Sequence, residues 1–415
     1  MDISYEQLSK LEEEHGSSFF VLDLEQLDEN YRRLIRALSG HYGNVNLAYS
    51  YKTNYIPRLV EQLDKLGAYA EVASKMEYQL ALECRVSPDR IIFNGPVKDR
   101  NDLDYALSHG SMVNIDNLFE MQEILKIART KPTQRFKVGL RCNFDLKDGS
   151  YSRFGLCLEN GDLKRAFEQL KETPNCEVVG LHCHYSTSNR TLASFNYRAT
   201  KLVDISLQLF QDHSPAYLNL GGGIFGPMDE HIKQQFDCYI PSYEEYAETV
   251  GSILKRHYAN EGPQLILEPG VGMVSNVLHC YARILHLKTV RGRNYAICSA
   301  SVHNVKPSLH NKELSVERIA RSVRDQEVAT KDYEIVGYTC LEYDKLLDHY
   351  HGPLAEGDFI KLLNVGAYTI VFKSPFIKPA PAILYTAQES QTLKVAQRTE
   401  TFEDLFRMYV IRERV

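Results

Sequence analysis

Between residue 27 and about residue 270 the chain alternates short apolar runs with amphipathic stretches, and the alternation counts to eight. Val45–Tyr51 reads as the first extended run. Ala68–Val72, Ile91–Phe93, Met112–Ile115, Phe136–Leu140, Glu177–Cys183, Tyr217–Leu220 and Leu265–Leu267 follow it. Helical spacing fills the gaps: Leu27, Tyr31, Leu34, Ile35 and Leu38 share one face, as do Leu118, Met121, Leu125 and Ala128. Strand–helix alternation implies a parallel sheet covered by helices. Eight units predict a sheet that closes, an α/β fold of the (β/α)8 TIM-barrel type over 25–272. Functional groups in such a barrel collect at the C-terminal ends of the strands.

After about residue 275 the texture changes. Tyr281–Val290, Tyr295–Ala300, Tyr333–Cys340 and Phe359–Leu363 read as strands with few helical patterns between them. This predicts a mostly β C-terminal domain over 273–415. The polar stretch Asn311–Lys331 reads as a helical insertion or a mobile loop. At 415 residues the chain is long for one core, so two domains fit.

Charge excludes some functions. The net charge of −6 and the lack of a Lys/Arg-rich run give no reason to expect nucleic acid. No apolar run approaches the roughly 20 residues of a membrane span. The start, Met1–Glu6, lacks the basic and apolar regions of a signal peptide. Nine scattered cysteines without a CxxC fit reduced thiols in a cytoplasm.

The candidate functional residues fall on one rim. Lys52 ends the first strand: either its amine enters a cavity, or its ammonium simply reaches water. Gly221-Gly222-Gly223 follows the seventh strand, as a phosphate-binding turn or a plain tight turn. Glu268-Pro269-Gly270 follows the eighth, either beside a protonated ring nitrogen or as an ordinary strand-end acid. His182-Cys183-His184 puts two imidazoles on one side of a strand. That is also metal-ligand spacing, but the other strand ends offer no further obvious His or Asp, so no metal is expected. Cys340, Glu342 and Asp344 lie after a strand of the second domain, with Gly366-Ala367-Tyr368 further on. Alone, these say little.

Order and spacing together resemble the fold-type III pyridoxal-phosphate decarboxylases, the diaminopimelate and ornithine decarboxylase family, whose barrel alanine racemase shares. The resemblance runs from about Phe19 to Phe376. Tyr51-Lys52-Thr53-Asn54, Ser152-Arg153-Phe154-Gly155, Gly180–His184, Gly221–Gly223, Glu268–Gly270, Cys340–Asp344 and Gly366–Tyr368 occur in the family's order. It implies pyridoxal 5'-phosphate, bound covalently by Lys52. Glu268 would meet the pyridine nitrogen and His184 the ring face. Gly221, Gly222 and Gly223 would cradle the phosphate, with Thr187 and Tyr368 as hydroxyl partners. It further implies a homodimer with sites at the interface, Cys340 of one subunit serving as proton donor in the other. The N-terminal strand Phe19–Leu22, within 1–24, would join the second domain. Lys306, Glu342, Asp344 and Tyr368 would face the substrate.

Four departures stand out. Val271 replaces the arginine of the family's Glu-Pro-Gly-Arg. His184-Tyr185-Ser186-Thr187 replaces His-(Ile/Val)-Gly-Ser. Lys306-Pro307 stands where the diaminopimelate enzymes carry Arg-Pro, keeping charge but losing the bidentate fork. Leu341 follows Cys340 where an acid usually binds the substrate's distal amine. The expected activity is decarboxylation of an amino acid, free, conjugated or carrier-bound, with substrate choice departing from plain diaminopimelate or ornithine. The rivals are an amino-acid racemase, a non-catalytic decarboxylase-like binding protein and a metal-dependent barrel hydrolase.

Overall fold

The computed structural model describes residues 3–186, 190–211, 213–258, 262–305, 312–321, 328–386 and 392–411. The chain divides into two units, Asp28–Pro227 with Cys238–Met273, and Met1–Leu27 with Met228–Asp237 and Val274–Val415.

The first unit is the expected barrel. Its strands are Val45–Ser50, Tyr69–Val72, Ile91–Phe93, Met112–Ile115, Phe136–Asn143, Cys176–His182, Tyr217–Asn219 and Gln264–Leu267. Each pairs in parallel with the next, and Leu265 opposite Val45 closes the ring. Both faces of these strands are covered, so their apolar runs are nearly continuous. Inside the barrel Ala48, Ile92, Tyr217 and Ile266 form a buried cluster. Gly139 and Gly180 make room for the Tyr217 ring; a Cβ on either would lie 2.0 or 2.3 Å from its atoms.

The helices begin and end on local signals. Pro57–Leu66 opens on a proline whose missing N–H has no helical partner to lose. It closes on Gly67 in the left-handed region, φ +100, and buries Leu59, Val60 and Leu63. Leu192–Phe210 starts one turn before its apolar face suggests, because the Thr191 side chain accepts from Ser194 N–H and caps it.

The second unit is built on a mixed sheet. Ser18–Leu22 lies between Leu278–Val290, antiparallel, and Ala382–Thr386, parallel. Part of the stretch Asn311–Lys331 is neither helix nor loop: Val316–Ile319 pairs antiparallel with Phe359–Leu362. Its residues 322–327 lie outside the described ones. Lys345–Gly352 and Leu393–Gln397 lie at the two ends of the sheet path. Edge strands are half-paired and polar, so their sequences carry little strand pattern. Among the described residues no helix is long and apolar enough to cross a membrane.

Candidate active site

The first strand ends at Ser50, and Lys52 sits just beyond it in a 3-10 turn, Tyr51–Thr53. The turn is locked from several sides. Tyr49 Oη donates to Asn54 O at 2.7 Å, and Ile56 N–H donates to Asn54 Oδ1 at 3.1 Å. Thr53 packs on Gly270, where a Cβ would come within 2.2 Å of its hydroxyl. The first and eighth strand ends are thereby held together.

Lys52 Nζ lies 2.7 Å from Glu71 Oε2; the lysine side chain is 40% exposed and the carboxylate 2%. Ser50 Oγ donates to the same oxygen. The other oxygen of Glu71 accepts from Asn94 Nδ2 at 3.1 Å. Asn94 Nδ2 also donates to Glu268 Oε1 at 2.7 Å, and Asn219 Nδ2 meets that oxygen at the same distance. His182 Nε2 lies 3.3 Å from Glu268 Oε2. Burial alone would push the Glu268 carboxyl up. The His182 imidazole, with the Lys52 ammonium behind it, overrides burial and holds it far below the usual carboxylate range. Glu268 is thus a buried anion with three donors, ready to face a cationic partner.

His184 accepts the Gly222 N–H at Nδ1, 2.9 Å away. Burial, then the Lys52 ammonium, depresses its pKa well below the ordinary histidine value, so the ring is neutral. The two histidines of the pair therefore turn their nitrogens to different partners.

The glycine triplet corrects the sequence expectation in part. Gly221 N–H donates to Asn219 Oδ1 at 2.9 Å, and Gly222 N–H is taken by His184. A Cβ on Gly221, φ +67, would lie 2.5 Å from Cys183 O; one on Gly222 would lie 2.4 Å from Glu268 O. These two glycines serve close packing, and their amides are committed inside the loop. Gly223, φ +95, is different: its nearest would-be contact is Tyr185 O at 3.4 Å. The N–H groups of Gly223 and Ile224 have no partner among the described residues. The open anion cradle is Gly223–Ile224.

Glu71, Asn94 and Asn219 were not singled out from the sequence. The signal was present: Glu71 is a lone acid in a short apolar strand, and Asn94 and Asn219 stand at strand ends. Ser152–Gly155 is a packed loop, in which Asn143 Nδ2 donates to the carbonyls of Ser152 and Phe154 at 2.8 and 2.6 Å. Val271 opens a four-residue helix and supplies no charge.

In the second unit Cys340 is exposed, Leu341 partly exposed and Glu342 exposed. Asp344 does not fit a substrate contact. It is buried, and its carboxylate accepts from Ser301 Oγ, Val302 N–H and Thr339 N–H at 3.1, 2.8 and 3.1 Å. It braces the Cys340 loop. Tyr368 is partly buried with φ +62, a left-handed conformation uncommon outside glycine, and stacks on Phe372 at 5.7 Å. Thr187 and Lys306 lie outside the described residues.

The motifs imply pyridoxal phosphate, and the barrel rim carries groups suited to it. It offers a reachable amine, a buried anionic carboxylate, a neutral imidazole bonded to the glycine loop, and two open amides, those of Gly223 and Ile224. These fit a pyridoxal ring with its aldehyde, pyridine nitrogen and phosphate.

The comparisons with known proteins agree. Residues 24–275 match the family model described as "Pyridoxal-dependent decarboxylase, pyridoxal binding domain". The chain is 24% identical to the diaminopimelate decarboxylase of Methanothermobacter thermautotrophicus, over 96% of this chain and 92% of that one. It is 27% identical to a probable chloroplastic diaminopimelate decarboxylase of Oryza sativa, over 94% and 79%. Among solved structures, the diaminopimelate decarboxylase of M. jannaschii in complex with L-lysine superposes with a TM-score of 0.86 at 23% identity, covering 98% of this chain and 94% of that chain. The arginine decarboxylase of Paramecium bursaria Chlorella virus gives 0.72 at 19% identity, over 89% and 95%. A closed parallel barrel, a rim with cofactor chemistry and a family match across that whole barrel lead to one conclusion: the chain belongs to the pyridoxal-dependent decarboxylase family and is a pyridoxal-phosphate-dependent amino-acid decarboxylase.

Proposed function

We propose that this enzyme decarboxylates an α-amino acid whose side chain ends in an uncharged or conjugated group, rather than in a free distal ammonium. The observation that carries this is Leu341. It stands directly after Cys340, in a loop braced by Asp344, at the position where the family's acid pairs with a distal amine. An aliphatic group there cannot satisfy an ammonium, and leaving that charge unpaired would be costly.

The residues divide the work as follows. Lys52 anchors the cofactor covalently, and Glu71 holds the free ammonium in place beforehand. Glu268 accepts the pyridine N–H, kept anionic by Asn94, Asn219 and His182. His184, neutral and fixed by Gly222, packs against the ring. The Gly223 and Ile224 amides receive the phosphate, with Thr187 and Tyr368 as hydroxyl partners. When bound, pyridoxal phosphate supplies the electron-accepting ring that takes up the electron pair of the breaking carbon–carbon bond. Cys340, delivered from a second subunit of a homodimer, returns a proton to Cα. Lys306 and Glu342 border the substrate's tail.

A second reading, plain meso-diaminopimelate decarboxylation, is favoured by the names of the relatives, which are 24–27% identical. Carbon dioxide release from a panel of free and carrier-bound amino acids decides between the two. Turnover confined to meso-diaminopimelate would overturn the proposal; enantiomer exchange without carbon dioxide would point to racemisation. Mixing Lys52→Ala with Cys340→Ala protein tests the shared site. Activity that neither variant has alone should return, and no recovery would remove the dimer from the proposal.

A further inference from the structure

A line of hydrogen bonds runs down the inside of the barrel, away from the cofactor rim. Glu71 and Glu268, as carboxylates, only accept. Asn94 must therefore turn its NH2 toward both, as the contacts of 3.1 and 2.7 Å indicate. Its carbonyl oxygen is left to accept, and it does so from Asn114 Nδ2 at 2.8 Å. With its NH2 so engaged, Asn114 presents its oxygen, which accepts from Tyr217 Oη at 2.7 Å. Each amide has one orientation that satisfies both neighbours, and the phenolic proton sets the sequence from below.

The surroundings hold this line rigid. Tyr217 is 4% exposed and fills the space left by Gly139 and Gly180. Its hydroxyl keeps its proton, because burial and then the Glu268 charge raise its pKa. Lys98, wholly buried, donates to Asn94 O, Gly95 O and Asn114 O at 2.5, 2.7 and 3.2 Å. It pairs with Glu120 at 2.6 Å. One ammonium thus grips the backbones of both asparagines. Tyr217, the first residue of its strand, lies at the end of the barrel opposite the rim.

We infer that Tyr217, Asn114 and Asn94 are positioning residues for Glu268, orienting the donor that fixes its carboxylate and ties it to the Lys52–Glu71 pair. The inference rests on the proposed role of Glu268 against the pyridine nitrogen. It predicts that a proton removed from the far end of the barrel interior is felt by the cofactor's chromophore.

The test uses purified holoenzyme and the visible absorbance of bound pyridoxal phosphate titrated with pH, together with its release on dilution. Glu268→Gln is the reference variant and should move the absorbance midpoint. Asn94→Ala should move it the same way by about one to two pH units, and Tyr217→Phe by about 0.3 to 1 unit. Asn114→Asp is nearly isosteric but replaces the donor to Asn94 with an acceptor, so the Asn94 amide must turn and present its oxygen to the carboxylates. It should perturb the midpoint more than Tyr217→Phe and speed cofactor release, with the defect easing as pH falls and the new carboxyl regains a proton. Tyr217→Phe keeps the ring and its packing, so it remains informative if the charged variant fails to fold. If Glu268→Gln moves the midpoint while Tyr217→Phe and Asn114→Asp leave it at the wild-type value, the inference is wrong. If Glu268→Gln itself has no effect, the role of Glu268 fails instead.

Discussion

The contact between Lys52 and Glu71 makes the sharpest quantitative prediction. At 2.7 Å and an effective dielectric of about 20, the attraction between the two charges is about 6 kcal/mol. Most of that is offset by holding Glu71 out of water. The lysine side chain is 40% exposed, so solvent screens part of the remainder. A coupling of about 1–3 kcal/mol should survive in a double-mutant cycle of Lys52→Met and Glu71→Gln on the cofactor-free protein. The single variants should be unequal. Removing Lys52 strands a carboxylate that is 2% exposed, with Ser50 and Asn94 left as its donors among the described residues. Removing Glu71 leaves an ammonium on a side chain already 40% exposed, which can turn to water. Lys52→Met should therefore destabilise more than Glu71→Gln. Urea unfolding followed by tyrosine fluorescence reads this directly, because the chain contains no tryptophan. A coupling below about 0.5 kcal/mol, or the opposite order of the single variants, would refute the reasoning.

Three further outcomes are expected. Gly222→Ala drives a Cβ to 2.4 Å from Glu268 O and should cost about 1–3 kcal/mol of stability with loss of bound cofactor absorbance, whereas Gly223→Ala meets only Tyr185 O at 3.4 Å and should keep Glu268 in place while weakening phosphate binding. Arg198 is fully buried, its three guanidinium nitrogens have no hydrogen-bond partner among the described residues, and its guanidinium carbon lies 3.7 Å from the centre of the Phe195 ring; Arg198→Met should raise stability by about 1–2 kcal/mol in urea, and a fall would refute this reading. Burial, then the Lys361 ammonium, lowers the His279 pKa to about 4, so the unfolded chain takes up a proton first; stability present above pH 6.5 should be lost as the pH falls toward 4, and His279→Gln should flatten that limb in urea titrations at successive pH values.

The barrel was legible because its strands are short, continuous and bounded by turn residues. The eight extended runs read from the sequence fall within a few residues of the observed strands, and Lys52, Glu268 and the histidine pair are found on one rim. Where the sequence misled, the cause was geometric. Gly221 and Gly222 look like anion-binding residues, yet backbone crowding by Cys183 O and Glu268 O already explains them. Asp344 looks like a substrate acid, yet three loop donors occupy it. The amide partners of Glu268 were invisible because Asn94 and Asn219 are ordinary strand-end amides, and only the closing of the ring brings distant strands to one carboxylate. Tyr217 was still less visible, since a tyrosine in an apolar strand reads as packing whichever way its hydroxyl points.

These misses share a physical origin that also bears on substrate choice. The cofactor chemistry depends on residues fixed by strand ends, whose positions follow from a periodic pattern. On the proposed function, the choice of substrate tail would fall to Leu341 and its neighbours, on a loop whose pattern carries no period. That loop is nevertheless firm: Gly337 N–H donates to Asp344 O at 2.8 Å, and the Asp344 carboxylate gathers donors from Thr339 within the loop and from Ser301 and Val302 of a separate segment. A loop held this tightly cannot swing Glu342 into the place of Leu341 at low cost, because the turn and the buried carboxylate would have to give way together. If the proposed function holds, selectivity against a distal ammonium would be set by one side chain on a rigid support. Leu341→Glu should accordingly shift turnover toward diamino substrates without altering the absorbance of the bound cofactor. A variant that changed the cofactor's spectrum instead would place Leu341 against the ring rather than the tail.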